Sequence, residues 1–290
     1  MSVRFGVFVP QGWKMDLNEI DDPVEQYEAM TAVAKAADAG PWDSIWLYDH
    51  FHTVPQPTLN TTFECWTASA TLARDTTRVN IGQMVGCNGY RQPSLYAKIA
   101  STVDVASHGR LYAGLGAGWY EHEWRAYGYE WPEVPQRMGA FREAVEIVHK
   151  MWTEDRPVFK GKHYQIDGPI NQPRRKPQFW LGGGGGEKVT LKLVAKYADG
   201  SNVGNGDAAL IRQKLAVLRE HCDTVGRDYA TIAKSTTIEV DPSWPTAQIT
   251  DRVEQVVEAG CDYVIFYIRR LAYDHEPLHR LAADLIPRFA

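Results

Sequence analysis

Three short stretches hold residue types that can do chemistry. In Tyr48-Asp49-His50-Phe51-His52 a carboxylate stands beside a histidine, and histidine titrates near neutrality, so His50 can give or take a proton beside a bound molecule, with Asp49 as its polar neighbour. Residues 115–128, LGAGWYEHEWRAYG, change within two positions from small residues to aromatics, acids and a histidine. Trp119, Tyr120, Trp124, Tyr127, Tyr129 and Trp131 offer flat apolar walls for a planar ligand. Residues 182–186 are consecutive glycines ahead of a helical stretch. Bare amides at a helix N-terminus attract anions, so Gly182, Gly183, Gly184 and Gly185 read as a phosphate cradle. That run lacks the Gly-Lys-Ser/Thr of the nucleotide-binding loop, and no acidic residue follows as in a dinucleotide fold. The His50-x-His52 pair has no third ligand at a recognisable spacing, and His122 lacks the second histidine of a zinc-protease helix, so no metal site is read.

Such groups need a rigid platform, and apolar periodicity supplies one. Residues 4–9 read as a buried strand ending at Pro10. A helix then starts at Asp22-Pro23-Val24-Glu25, where Asp22 accepts from first-turn amides, Pro23 needs no donor there and Glu25 complements the dipole. It is expected to stop at Gly40 in a left-handed cap. Strands follow at 44–48, 79–85, 111–115, 179–181, 200–203, 232–240 and 263–267. Helices are predicted at 63–73, from Pro93, and at 136–152, 189–198, 207–225 and 246–259. Met138, Phe141, Val145, Val148 and Trp152 make one stripe of the 136–152 helix. The last strand is wholly apolar, as in parallel sheets covered on both faces.

About eight strand-helix repeats predict a single α/β domain over 1–290, a (β/α)8 TIM barrel with insertion loops at its C-terminal face. Catalytic groups of such barrels sit where strands end, which puts the three stretches on one rim. Residues 153–176 are too long and too poor in helical period for a simple connection, and read as an excursion or lid.

The bulk numbers agree. At 290 residues, 44% hydrophobic, with acids and bases intermixed and a net charge of −5, the chain fits a small-molecule substrate better than nucleic acid. It has no apolar run long enough to span a membrane and no secretory leader in its first residues, so a cytoplasmic protein is expected. The four cysteines are far apart without a CxxC pair, as reduced thiols would be.

With these stretches placed, the sequence resembles the bacterial luciferase-like family, and within it the branch that uses the deazaflavin coenzyme F420. The resemblance rests on SIWLYDHF at 44–51, IGQMVGCNGYRQPSLYAKIASTVDVASHGR at 81–110, LGAGWYEHEWRAYG, and PQFWLGGGGG at 177–186. It implies a TIM barrel binding the coenzyme at its C-terminal mouth for hydride transfer to or from a small organic substrate. A bulge with a non-proline cis peptide at Met84 and Val85, next to Gly86, would back the ring. Asp49 and His50 match the motif near the reactive face, Ala117, Gly118 and Trp119 match the strand-four contacts, and Gly183 to Gly185 match the phosphate loop. Arg174, Arg175 and Lys176 would meet the coenzyme's acidic tail or an anionic substrate, or form a solvated face. Some F420-dependent dehydrogenases of this branch carry a glutamate where Trp119 stands, and its absence argues against a sugar-phosphate dehydrogenase. The alternative in the same fold is a monooxygenase using reduced FMN and oxygen. The family often forms homodimers through barrel helices.

Overall fold

The strands expected from apolar runs pair into a ring. The computed structural model describes residues 2–182 and 186–289. In chain order it contains β1 (Arg4–Phe8), α1 (Pro23–Ala39), β2 (Ser44–Leu47), α2 (Cys65–Asp75), β3 (Asn80–Gln83), β4 (Gly86–Cys87), α3 (Pro93–Ala106) and β5 (Leu111–Gly116). Next come α4 (Glu121–Ala126), α5 (Val134–Thr153), β6 (Val158–Lys160), β7 (Gln165–Asp167), β8 (Gln178–Leu181), α6 (Thr190–Tyr197) and β9 (Gly200–Asn202). The chain finishes with α7 (Ala208–Val225), β10 (Ala233–Val240), α8 (Thr246–Glu258), β11 (Tyr263–Ile268) and α9 (Glu276–Asp284). The sheet order β3-β2-β1-β11-β10-β9-β8-β5 is closed by pairing of β3 with β5. Its rungs are parallel, for example Val7 opposite Ile45 and Phe266. The result is an eight-stranded parallel barrel with helices between the strands, in which β4 continues the third stave past a break.

Local chemistry explains most of the element ends. Asp22 Oδ1 accepts from the amides of Val24 at 2.8 Å and Glu25 at 3.0 Å, and Pro23 opens α1. Gly226 closes α7 at φ 70°, as a left-handed cap should. Gly40 differs from expectation, with φ −99° and ψ −169°. Pro41 follows it, and the ring of a proline disfavours helical conformations in the residue before, so the chain leaves α1 extended. On α5, Phe141, Val145, Val148 and Trp152 are buried, each stabilising by about 1.5–3 kcal/mol.

Residues 153–176 contain the antiparallel pair β6 and β7. The buried Glu143 of α5 accepts the amides of Lys162, His163 and Tyr164 at 2.8–2.9 Å. Burial alone would raise its pKa, but these three donors hold it below the ordinary value. That carboxylate draws the hairpin against α5, and no residue of the segment lines either cavity at the barrel mouth. The segment is an excursion packed on the outer wall at α5. Arg174 and Arg175 are engaged by Asp155 and Asp104, at 2.6 and 2.7 Å, away from both cavities. No helix among the described residues is long and apolar enough to cross a membrane.

The barrel lumen is filled with aromatic side chains. Trp46 and Trp180 meet edge to face at 5.1 Å, Tyr112 stacks on Trp180 at 5.3 Å, and Tyr263 packs against both indoles. Two glycines make room for the indoles, since a Cβ on Gly82 would lie 2.3 Å from the Trp46 ring and one on Gly200 2.5 Å from that of Trp180. We expect Gly82→Ala to lower stability by about 1–3 kcal/mol or more, seen as a lower melting temperature, because a rigid ring enclosed on all sides cannot yield. An unchanged melting temperature would contradict this account of the lumen.

Candidate active site

Above the aromatic filling, the strand ends enclose a cavity of about 640 Å³, within the usual range for small-molecule sites. Its wall is drawn from the loops or ends of six staves: Trp13 and Lys14 after β1, Tyr48 to His50 after β2, Met84 to Cys87 at the broken third stave, Gly116 to Tyr120 after β5, Asn202 and Asn205 at β9, and Thr237 and Glu239 of β10. Phe8 and Tyr48, stacked at 4.2 Å, and Met84 link the cavity to the lumen aromatics.

Of the residues singled out from sequence, His50, Asp49, Met84, Val85, Gly86, Ala117, Gly118 and Trp119 all line this one cavity. The Met84-Val85 peptide is cis, where the resemblance places such a bond. Gly182 is buried beside the wall: a Cβ there would lie 3.1 Å from Val85 and 3.6 Å from Asn202 and from the Met84 sulfur. Gly183, Gly184 and Gly185 lie outside the described residues.

His50 is held on two sides. Its ring lies face to face on Trp13 at 4.4 Å, with the edge of Trp119 at 5.6 Å. Its Nδ1 is 2.8 Å from Glu123 Oε2. Glu123, on α4, is 0% exposed, and its carboxylate also accepts from the Tyr90 hydroxyl at 2.7 Å and the amides of Phe51 at 2.8 Å and His52 at 2.7 Å. Burial would raise its pKa, but the His50 hydrogen bond and charge, the His52 amide and Tyr90 outweigh it, so Glu123 ionises below its ordinary 4.5. With Nδ1 taken, Nε2 is the nitrogen of His50 left for exchange with a ligand. Glu121 and Glu123 stand two positions apart in the same short acidic stretch, and their types alone do not tell them apart. The structure separates them, because Glu121 is exposed and pairs with Arg125 at 2.8 Å.

Asp49 is buried and fully engaged. Oδ2 accepts from Arg91 Nη1 at 2.6 Å and the Cys87 amide at 2.7 Å, and Oδ1 from Arg91 Nη2 at 3.0 Å. Arg91 reaches on to Glu64 at 2.6 Å. Burial disfavours the Arg91 charge, but the Asp49 carboxylate more than restores it and holds the guanidinium firmly protonated. Asp49 thus pins β4, and with it the wall that follows Met84-Val85. Cys87 sits in that wall, its thiol pushed up to about 12 by burial and the Asp49 charge, so it is an inert neutral group.

A second cavity of about 620 Å³ adjoins the first and shares Lys14, Trp119, Tyr120 and Glu239 with it. Its other walls come from Met15, Asp16, Asn18, Glu19, Val54, Pro55, Tyr267, Arg269, Arg270 and Tyr273. Glu239 binds Lys14 at 2.9 Å and Arg269 at 2.6 Å, and Arg270 binds Glu19 at 2.7 Å. Burial would raise the Glu239 pKa, but both cations hold it below the ordinary value, so it stays charged. Neither Lys14 nor Arg91 stood out in the sequence, and no periodic pattern marks the loops that carry them.

Comparison with known proteins places this geometry in context. A family model described as luciferase-like monooxygenase matches residues 3–275. An F420-dependent glucose-6-phosphate dehydrogenase of Amycolatopsis mediterranei is 28% identical over 203 residues, 69% of this chain and 58% of that protein. Its namesake from Segniliparus rotundus is 30% identical over 207 residues, 69% of this chain and 60% of that protein. The matched part thus spans about three fifths of these relatives. Among solved structures, an F420-dependent secondary alcohol dehydrogenase in complex with an F420-acetone adduct superposes with a TM-score of 0.81 over 100% of this chain and 98% of its own, at 19% identity, which shows the shared fold.

Because Glu123 ionises below 4.5, its contribution to stability is complete above that value and is lost as pH falls through the depressed one. Glu123→Gln, which cannot ionise, is expected to melt below the parent at pH 7, with the gap closing as pH drops below about 4.5. A gap independent of pH, followed by circular dichroism, would show that the charge contributes nothing.

Proposed function

The chain belongs to the luciferase-like monooxygenase family, and from that premise we propose that it is an F420-dependent oxidoreductase acting on a small organic substrate. The observation that carries the reading is a cavity of coenzyme size that brings together His50, the Met84-Val85 wall and the 116–120 segment at the mouth of the barrel. Its volume, flat aromatic walls and polar lining by Asn202, Asn205 and Thr237 fit a ring with a hydrogen-bonding edge. The names of the curated relatives favour F420 over FMN. When bound, F420 supplies the hydride chemistry, and the protein supplies position and proton handling.

In this reading Met84, Val85 and Gly86 form the wall behind the ring, and Ala117, Gly118 and Trp119 border it from β5. Gly183, Gly184 and Gly185, ahead of α6, receive the coenzyme phosphate. His50 holds the exchangeable proton at Nε2. Glu123 fixes the tautomer and balances the charge when the ring is protonated, the role a carboxylate plays behind a catalytic histidine. Asp49 acts through the backbone it pins. The buried, unpaired cysteines support a reducing, cytoplasmic setting, and light scattering of the purified protein tests the expected homodimer.

Titration of the protein with F420 and FMN, followed by ligand fluorescence, is expected to show saturable binding of F420 and weaker binding of FMN. Preference for FMN would overturn the assignment. His50→Ala is expected to keep F420 affinity within a few-fold and to lower turnover by about 10²–10⁴. Turnover equal to the parent would remove His50 from the chemistry.

A further inference from the structure

We propose that the second cavity is the substrate chamber and that it is built for an uncharged, flat, largely apolar molecule carrying a carbonyl or hydroxyl group, rather than for a phosphorylated sugar. The inference rests on the F420 reading, because the first cavity must be the coenzyme's for the second to be the substrate's.

Position comes first. The two cavities meet at Trp119 and Tyr120, whose rings stack at 5.2 Å and 19°, so a molecule in the second lies against the wall of the first. Trp119 also presents its edge to His50, which puts the proton-bearing ring at the same junction. Trp119 is 60% exposed, far more than the lumen indoles, although it stands at the centre of two adjoining cavities. A large bare ring in that place is a surface for a ligand to cover.

Charge decides the class. Among the described residues lining the chamber the cations are Lys14, Arg269 and Arg270. Each already has a carboxylate: Lys14 and Arg269 share Glu239, Arg269 has Asp241 at 4.0 Å as well, and Arg270 has Glu19. Two of the three also lie over aromatic rings, Lys14 at 4.0 Å from that of Tyr267 and Arg270 at 4.9 Å from that of Tyr273. A phosphate entering here would have to compete with Glu239 and Glu19 for cations that are already paired, with no unpaired cation among the described lining residues to receive it. The remaining surface is mostly apolar or aromatic, with Met15, Val54, Pro55, Tyr120, Tyr267 and Tyr273, and Asp16 and Asn18 are its other polar members. An uncharged ring compound covers that surface without disturbing an ion pair.

The test measures binding, so it does not require turnover. Acetophenone and glucose 6-phosphate are titrated into the protein with and without F420, following tryptophan fluorescence and calorimetric heat. Acetophenone is expected to bind, and glucose 6-phosphate to bind weaker by about a hundredfold or more. Val54→Trp, which fills the chamber from a residue that lines only the second cavity, should abolish acetophenone binding and leave F420 affinity unchanged. Glu239→Gln releases Lys14 and Arg269 and should strengthen glucose 6-phosphate binding by about tenfold or more. Equal or tighter binding of glucose 6-phosphate by the parent, acetophenone binding that survives Val54→Trp, or no gain of phosphate affinity in Glu239→Gln would each overturn the proposal. If F420 itself does not bind while the ligand preference holds, the coenzyme reading fails and the chamber's preference for uncharged molecules stands.

Discussion

A carboxylate taken out of water at Glu123 organises the side of the barrel face that carries His50. An ionised acid with no exposed surface is tolerated only when its oxygens are met by donors, and four arrive: the His50 ring, the Phe51 and His52 amides and the Tyr90 hydroxyl. Hydrogen bonds to a charged group contribute about 1.5–3 kcal/mol each, enough together to offset burial of one charge. The donors come from the loop after β2 and the turn after β4, while the acceptor rides on α4 after β5. One ion therefore fixes the relative placement of three neighbouring staves' loops, and the histidine that faces the cavity is one of the groups it holds.

Beneath this the constraint is steric. The lumen holds two indoles and two phenols where shorter aliphatic layers are usual, and the glycines at 82 and 200 let those rings lie across the axis. Stacked rings cannot be compressed, so they set the height of the cavity floor formed by Phe8, Tyr48 and Met84. Asp49 performs the matching task for the side wall by joining the Cys87 amide to Arg91 and, through it, to the start of α2 at Glu64.

The sequence makes the barrel and one side of its chemistry legible, for reasons visible in particular residues. Apolar runs such as YVIFYI and the α5 stripe are local patterns, so strands and helices could be placed, and the rule that sites follow strand ends then gathered His50, Met84 and Trp119 onto one rim. Partnership across the chain is another matter. Glu123 lies 73 residues from His50 and was indistinguishable in type and neighbourhood from Glu121. Helix α4 is too short for its buried face to show in periodicity. Gly40 departs from a left-handed cap because Pro41 follows it, and nothing local in 153–176 reveals that Glu143 holds that excursion to α5.

The division of labour between the two cavities follows from which loops build them. His50, Glu123, Asp49 and Arg91 belong to the segments after β2, β4 and β5, and their bonds are internal to that group. The charged rim of the second cavity comes from the loop after β1, the end of β10 and the turn after β11, joined by Lys14–Glu239–Arg269 and Arg270–Glu19. From the first group, Trp119 and Tyr120 of the segment after β5 and Val54 and Pro55 of the loop after β2 reach into the second cavity. A single substitution at Glu19 or Glu239 would therefore change the charge that the second cavity presents without touching the bonds that hold His50. In a barrel whose loops vary independently of its staves, this is how one set of proton-handling groups can serve substrates of different charge.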